Sequence, residues 1–497
     1  MIARSPAVAL CAALVAGCAT LEAPFSTHLA SPAPQIRECA EWYRALDEHV
    51  AAAGLRDAQD SAVPGFPYLR VSRLLAALRP TAQASEQALQ ALAERMLALD
   101  REARRYEIVN LPALPDASPD VPAAMRRTRD CGRLLREIDL AKPETRQALL
   151  ERAKVPDDYR LASRIFGLYW LTRIPFAEGV RRQEEETREA FRRVPAVVED
   201  SGAQRRLRYA PEPGDSLTRA QAARLLARSA ENALGIPEPA EDDLKALLAA
   251  YAPSFEIEVK GDYDRFGALR WLRGADAPSV DGAQLAVYGH PAWTRYGDRV
   301  LLQLVYTLWF PERLAQSDGD LLAGKLDCIT WRVTLAPDGE PLAYDAMHPC
   351  GCYHQFFPTP RATARPAPGS IDEWMFSPKS LPRIGEGERP LVRIASGTHY
   401  IEGVAVVRGT DSLVRYELRP YGELRSLQRY SGGRASAFGA DGLVPGTARA
   451  ERFVFWPMGI ASAGAIRQWG RHATAFIGRR HFDDADLFEK RFTFDLR

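Results

Sequence analysis

The sequence carries almost no net charge and, beyond its first residues, no long apolar run. Lysine and arginine number 65 and aspartate and glutamate 64, which gives a formal net charge of +1. The sequence therefore has no excess of basic residues, which is the feature by which many proteins attract nucleic acid. No apolar stretch after the N-terminus approaches the roughly 20 residues of a membrane-spanning helix. We therefore expect no nucleic-acid partner and no integral membrane domain.

The sequence also lacks the short motifs of the common enzyme classes. It has no His-Glu-x-x-His zinc motif, no Cys-x-x-Cys-His haem site, no Gly-x-Gly-x-x-Gly fingerprint and no phosphate-binding loop. The stretch GIASAG around Ser462 differs by one residue from the spacing of a nucleophile elbow, so we reject it. The sequence therefore leaves open whether the protein is an enzyme, and it predicts no substrate.

The one extended apolar run opens the chain. Residues 7–16 follow a single arginine and are too few for a mature membrane helix, as is typical of an export signal. The run ends in LVAGC, residues 14–18. This ending resembles the lipobox of bacterial lipoproteins, a resemblance that covers only about the first 20 residues. The alternative is a plain secretory signal that contains a cysteine by chance.

The lipobox resemblance implies a modification and a location. It implies cleavage before Cys18 and an acyl chain such as palmitate on that residue. Ala19 rather than aspartate follows, which implies a lipid-anchored protein of the cell outer membrane that faces the periplasm. The membrane is then a partner through the anchor.

The spacing of apolar residues changes near Pro253. Before it they repeat every three to four residues, which predicts helices; after it they alternate, which predicts strands, among others at 299–310, 340–348 and 451–456. We predict an α+β protein, with an N-terminal all-helical region followed by an antiparallel β-rich domain, a barrel or a sandwich. The predicted divisions are a signal peptide (1–17), a lipidated tether rich in proline, serine and alanine (18–35), a helical domain (36–252) and the β-rich domain (253–497).

Five of the seven cysteines remain as thiols in the expected mature chain, because Cys11 leaves with the signal and Cys18 carries the lipid. Export permits disulfides, and an odd number leaves one thiol unpaired or bound to something else. Cys39 and Cys131 both lie on apolar faces of predicted helices. They either form a disulfide that staples the helical domain or remain two separately buried thiols. The five are Cys39, Cys131, Cys328, Cys350 and Cys352.

A hairpin is predicted around Asp338-Gly339, a strong two-residue turn signal. Counting outward from this turn, Arg332 faces Asp345, and two opposite charges directly opposed fit a solvated face of the hairpin. The same register brings Cys328 close to Cys350. Three thiols are therefore expected to converge at one end of the hairpin.

That end of the hairpin carries HPCGCYH, residues 348–354. A turn in which Gly351 supplies a positive φ would bring two histidines and two cysteines together. Such nitrogen and sulfur donors suit zinc or copper. The alternatives are a disulfide of Cys350 with Cys328 or Cys352, and simple packing with His348 as a hydrogen-bonded core histidine. The candidate metal ligands are His348, Cys350, Cys352 and His354.

Four further residues are candidates for additional ligands or for a general base. His399 and Glu402 lie three positions apart, and His472 and His481 flank a stretch that continues into two aspartates. The alternative for each is a surface or capping role.

Three functions compete on these observations. The first is a lipid-anchored envelope protein with a His/Cys transition-metal site in its β-rich domain. The second is a non-catalytic envelope protein that binds another envelope component and whose cysteines form disulfides. The third is a ligand-binding barrel without a metal.

Overall fold

The computed structural model describes residues 23–115, 119–195, 197–198, 206–213, 217–407 and 414–497. The chain divides into two compact units between Pro156 and Asp157. The predicted signal peptide and Cys18 lie outside the described residues. Within the described ranges, no helix combines the length and the apolar character that crossing a membrane requires.

The first unit is mainly helical. Its helix α1 lies inside the predicted tether: His28 is buried, and its Nε2 lies 3.0 Å from the Asp139 carboxylate. Part of the predicted tether is thus a helix that packs on this unit. The described elements are α1 (Ala23–Leu29), α2 (Pro34–Ala52), β1 (Ser61–Val63), β2 (Phe66–Val71), α3 (Arg73–Ala77), α4 (Arg79–Ala84), α5 (Glu86–Asn110), α6 (Val121–Leu140) and α7 (Pro143–Arg152).

A disulfide joins two helices of the first unit. The sulfur atoms of Cys39 on α2 and Cys131 on α6 lie 2.01 Å apart. The same two helices are linked by the Trp42 indole N–H, which donates to Thr128 Oγ1 at 3.1 Å. Of the two alternatives for these cysteines, the structure shows the pair.

The second unit contains six described α-helices, three short 3₁₀ helices and seventeen strands, eleven of which form one large sheet. Its helices are α8 (Leu161–Phe166), α9 (Tyr169–Arg192), α10 (Arg219–Ser229), α11 (Glu241–Tyr251), α12 (Arg452–Phe455) and α13 (Leu487–Arg491). Its strands are β3 (Val197–Val198), β4 (Arg206–Pro211), β5 (Ser254–Glu258), β6 (Ala268–Arg270), β7 (Ser279–Asp281), β8 (Ala286–Tyr296), β9 (Arg299–Arg313), β10 (Gly324–Leu335), β11 (Pro341–His348), β12 (Cys352–Pro358), β13 (Ala362–Ala364), β14 (Arg389–Ile394), β15 (Ile401–Val407), β16 (Val414–Pro420), β17 (Leu427–Gln428), β18 (Arg434–Ala435) and β19 (Phe492–Phe494).

Eleven strands form one curled sheet in the order β12-β11-β10-β9-β8-β16-β4-β5-β14-β15-β3. Neighbours from β12 to β8 are antiparallel. Strand β16 joins this antiparallel half to the rest through parallel pairings with β8 and β4. The predicted α+β class, with helices before an antiparallel β-rich region, is confirmed, and the sheet is curled into a half-barrel.

Both faces of the sheet are covered. On one face, Phe191 of α9, Leu226 of α10 and Leu247 of α11 belong to the same buried cluster as Trp331. On the other face, α13 packs its Phe488 into a second cluster. Because the C-terminal end of α9 and the apolar sides of α10 and α11 pack on the sheet, these helices belong to the unit that begins at Asp157. The change of periodicity near Pro253 therefore does not coincide with the division between the units.

The hairpin of β10 and β11 has the predicted register at Arg332, which pairs with Asp345. Its loop is longer than two residues, because Leu335 pairs with Pro341 and the register shifts there. The expected solvated face is wrong: the side chains of Arg332 and Asp345 are 1% and 0% exposed. The C-terminal segment covers them, and Arg332 Nη1 donates to the Phe482 carbonyl at 2.7 Å.

Candidate functional site

The HPCGCYH motif lies at the ends of β11 and β12. His348 pairs with Cys352 across the two strands, and the Gly351 N–H donates to the His348 carbonyl at 2.8 Å to close the turn. Gly351 has a φ of +93°, as predicted. A Cβ at this position would lie 2.1 Å from the Ala473 carbonyl oxygen, so only glycine fits the turn.

A β-bulge at Tyr353 separates the two histidines of the motif. The register of β11 and β12 shifts between Ala346 and His348, so that β12 has one residue more than β11. The extra residue, Tyr353, has a φ of +55°. Side chains alternate along a strand, so Gln355, the partner of Ala346, shares the face of His348, and His354 lies on the opposite face. The four predicted ligands are therefore not brought together.

His354 belongs to a buried polar network on its own face. Its Nε2 lies 2.9 Å from Asp345 Oδ2, and its Nδ1 lies 3.3 Å from Thr474 Oγ1. Arg332 completes the network through two contacts with the Asp345 carboxylate, at 2.9 and 2.5 Å. Burial lowers the pKa of His354 to about 3, so the ring is neutral and its N–H donates to Asp345.

The face of His348 carries a row of alternating carboxylates and imidazoles. His399 places Nε2 3.6 Å from Asp264 Oδ1 and Nδ1 2.9 Å from Asp327 Oδ2. The other oxygen of Asp327 lies 3.4 Å from His348 Nδ1. Asp264 is fixed in turn by the Gly397 N–H, which donates to it at 2.7 Å. The predicted additional residue His399 thus belongs to the same cluster as His348.

The charges in this row stabilise one another. Burial alone would raise the pKa of Asp327, but the imidazoles of His348 and His399 outweigh burial, and the pKa lies well below its usual value. Burial alone would lower the pKa of His399, but Asp264 and Asp327 outweigh it, and this pKa is raised. The two carboxylates therefore favour the protonated form of His399, which lies between them. Its ring also stacks on Phe310 with centroids 3.9 Å apart.

His348 ends the row with one free nitrogen. The side chain is buried, yet its Nε2 has no hydrogen-bond partner in the described part of the chain. His348 lines a recess of about 30 Å³ together with Asp327, Cys350, Cys352 and Glu451. A histidine held by a carboxylate at one nitrogen, with the other nitrogen free, has the arrangement of a general base or of a metal ligand.

The three thiols converge as predicted, and none of them is in a disulfide. A hydrogen bond with Cys350 and then burial raise the pKa of Cys352 well above its usual value. Burial, with Asp327 and Cys350 adding to it, likewise raises the pKa of Cys328. Cys328 and Cys352 are therefore protonated rather than reactive thiolates. Among the described residues, no three His, Cys, Asp or Glu side chains are arranged to hold a metal ion.

A cavity of about 530 Å³ adjoins the recess. The two share Cys350, Cys352 and Glu451 as lining residues. Most of the cavity wall is apolar, and Pro175 and Gly179 of α9 line it while remaining exposed, so the cavity opens beside that helix. Burial raises the pKa of Glu451 to about 7, so this carboxyl exchanges its proton near neutral pH.

The other predicted additional residues do not line the recess. His472 donates from Nε2 to the Arg467 carbonyl at 3.2 Å, and burial lowers its pKa to about 3. His481 lies 3.5 Å from Asp158 in a separate acidic cluster. Glu402, despite its spacing from His399, is 38% exposed and lies 3.9 Å from an arginine on β4.

Sequence reasoning missed Asp264, Asp327 and Glu451. For Asp327 a signal existed, because it occupies a position of β10 whose alternation continues into Ile329 and Trp331 on the buried face. A charged residue at such a position needs a partner. Comparisons of the chain with protein-family profiles, with curated proteins and with solved structures found no match. Function is therefore inferred from the geometry of the recess and the cavity.

Proposed function

We propose that the second unit binds an amphipathic small molecule, with its apolar part in the 530 Å³ cavity and its polar end in the recess. The observation that carries the proposal is the buried, unpartnered Nε2 of His348 in the recess that adjoins the mainly apolar cavity. Cavities of this size, with few polar groups in an apolar lining, are typical of small-molecule sites.

His348 supplies the polar contact in this proposal. Its Nε2 accepts a hydrogen bond from the polar end of the ligand, because Asp327 at Nδ1 favours the tautomer that leaves Nε2 unprotonated. Glu451, on the shared wall of cavity and recess, adds a second group that changes charge near pH 7.

Filling the cavity tests the proposal. Gly179 lines the cavity, and a Cβ there meets no atom within 4 Å, so Gly179→Trp places an indole in the open space. Gly369 is equally unobstructed but lies outside the cavity, which makes Gly369→Trp the matched control. We expect the apolar fluorophore N-phenyl-1-naphthylamine to bind the parent and G369W proteins alike, and G179W at least about tenfold more weakly. Equal binding by all three proteins would refute the cavity as the site.

The polar end of the ligand is tested by competition. Lauryl amine, lauryl alcohol and lauric acid are compared as displacers of the fluorophore, and the head group that fits the recess displaces it at the lowest concentration. His348→Gln should weaken that displacer while leaving fluorophore binding unchanged, because the fluorophore uses the apolar wall. His49→Gln, at an exposed histidine of the first unit, is the control. Loss of fluorophore binding in H348Q alone would place the whole ligand in the recess instead.

We propose, on the lipobox resemblance, that the protein is exported and anchored by a lipid on Cys18 to the outer membrane, facing the periplasm. An acyl-modified cysteine holds a protein at a bilayer without a spanning helix. Cys18→Ser should abolish lipid labelling of the chain. Lipid labelling of C18S equal to that of the parent protein would count against the anchor.

A second candidate function is the binding of zinc or copper by Cys350, Cys352 and His348. It is favoured because the unpartnered Nε2 of His348 and both thiols line one small recess. It requires the three side chains to turn towards one ion, with proton release from the thiols. Reduced parent protein should then bind about one equivalent of metal and C352S none, with H49Q as the control. Equal metal content in the parent and C352S proteins would exclude it.

A further inference from the structure

Three helices of the second unit carry large apolar side chains on their outer surface. Phe166 is 79% exposed, Phe453 69% and Trp170 68%. Ile165, Ile174 and Trp456 are exposed as well. These six side chains, from α8, α9 and the segment 452–458, are called the aromatic face below. So many large exposed apolar side chains in one region mark an interaction surface.

The aromatic face is one packed surface rather than a set of loose side chains. The Arg160 N–H donates to the Gly459 carbonyl at 2.7 Å, and Arg164 Nε donates to the Met458 carbonyl at 2.9 Å. The rings of Phe176 and Phe455 lie 5.3 Å apart, centroid to centroid. These contacts hold α8 and α9 against residues 452–459, so the exposed side chains are presented together.

The composition of this face fits the interfacial layer of an anionic bilayer. Tryptophan and phenylalanine are the residues that bury at the boundary between head groups and acyl chains. The segment 159–177 contains three arginines and no aspartate or glutamate. Arg164 donates to the Met458 and Gly478 carbonyls and Arg173 lies 3.7 Å from Asp372, whereas the side chain of Arg160 is exposed and can meet a head group. Such a segment complements anionic lipid head groups.

The length of chain before the first described residue also favours a bilayer as the occupant. Ala23 follows Cys18 by five positions in the sequence. Even fully extended, that stretch reaches only about 17 Å. With the proposed lipid on Cys18, the chain is held near the bilayer, which raises the effective concentration of membrane at any surface that can bind it.

We infer that the aromatic face inserts into the interfacial layer of an anionic membrane and thereby docks the second unit on the membrane surface. The docking does not rest on the proposed ligand binding. Gly179, at the opening of the cavity, follows Trp170 by nine residues, which is about 14 Å along α9 and half a turn around it, so the opening lies on the other side of this helix.

The test uses the full chain with Cys18→Ser, so that no lipid anchor contributes. Its partition is measured by co-sedimentation with vesicles of phosphatidylcholine alone and with added phosphatidylglycerol. We expect binding that strengthens with phosphatidylglycerol and weakens at least about tenfold in F166S/W170S. Tyr430→Ser, which removes a side chain that is 70% exposed outside the aromatic face, should bind like the parent.

Two other experimental outcomes would assign the aromatic face to a different partner and would overturn the inference. Absence of vesicle binding, with self-association that F166S/W170S abolishes, would assign the face to a second copy of the chain. Strong hydrogen-exchange protection of residues 161–174 without vesicles would assign it to another part of the same chain. Failure of docking and failure of ligand binding are distinguishable, because G179W should lose the fluorophore and keep its vesicle binding.

Discussion

Replacing Cys39 and Cys131 together with alanine should destabilise the first unit by several kcal/mol. The disulfide links residues 92 positions apart, so it closes a long loop in the unfolded chain. The loop-entropy relation gives about 4.6 kcal/mol at 25 °C for a loop of this length. Native disulfides of small domains typically contribute about 2–5 kcal/mol, so the prediction lies at the upper end of that range.

Hydrogen exchange read out by mass spectrometry measures this effect for each unit separately. Amides of α2 and α6 report the first unit, and amides of β9 and β10 in the second unit serve as the internal control. The double variant should exchange faster in α2 and α6 by the factor that corresponds to the lost free energy, with β9 and β10 unchanged. The reduced parent protein is the control, because it lacks the disulfide bond but keeps both sulfur atoms, whereas the double variant lacks both.

Two results would refute this reasoning. If reduced parent protein exchanges like the oxidised form in α2 and α6, the bond contributes no stability to the first unit. If reduction instead speeds exchange in β10 and β11, then Cys350 forms a disulfide with Cys328 or Cys352 in solution. The free thiols described above would then represent only the reduced protein.

Further outcomes are expected elsewhere in the chain. Arg332→Met leaves the Asp345 carboxylate buried without its main partner, and urea unfolding of the second unit should show a loss of about 3–5 kcal/mol; a loss below about 1 kcal/mol would contradict the buried pair. The pKa of Glu451 is raised in the folded state, so ionisation of this carboxyl opposes folding. The free energy of unfolding should therefore fall as pH rises from about 4.5 to 7, by up to about 3 kcal/mol. Glu451→Gln should flatten this pH dependence. Brief trypsin treatment should cut after the exposed Lys154, between the two units, before it cuts inside β9 or β10.

The class of fold was predictable because burial imposes a period on the sequence. Residues 299–310 and 340–348 were expected as strands and lie in β9 and β11, where alternate side chains pack into the cores on the two faces of the sheet. Residues 451–456 were expected as a strand, but the structure has the helix α12 (Arg452–Phe455) there. The strand prediction for residues 451–456 is wrong because so short an apolar run carries no periodicity that distinguishes a strand from a helix.

The organisation of the units was less accessible from sequence. Helices α10 and α11 have the same amphipathic pattern as the helices of the first unit. The reason is that a helix of either unit buries one apolar face against one partner surface. Whether that partner is another helix or a sheet is decided by contacts between residues far apart in sequence, such as Leu247 with the cluster that contains Trp331. The amphipathic pattern predicts that one face of a helix is buried, but it does not predict which element packs against that face.

The candidate site shows how one residue of backbone changes the chemistry of a motif. In a regular strand Cys352 and His354 would share a face with His348, which is the arrangement that a metal site requires. The bulge at Tyr353 moves His354 to the opposite face and leaves His348 beside Asp327. The sequence does not predict a bulge at Tyr353, because tyrosine rarely adopts the positive φ that this residue has in the structure.

The strain around the recess supports its assignment as the site. Five non-glycine residues of the described chain have a positive φ, and three of them, Leu326, Tyr353 and His399, are next to or part of the cluster formed by Asp327 and His348. Each such conformation costs about 1–2 kcal/mol for a residue with a Cβ. Backbone strain of this kind persists only where the surrounding structure enforces it, and it concentrates at binding and catalytic sites. The positive-φ residues thus surround Asp327 and His348, whose Nε2 has no partner in the described part of the chain, and this coincidence supports the recess as the site.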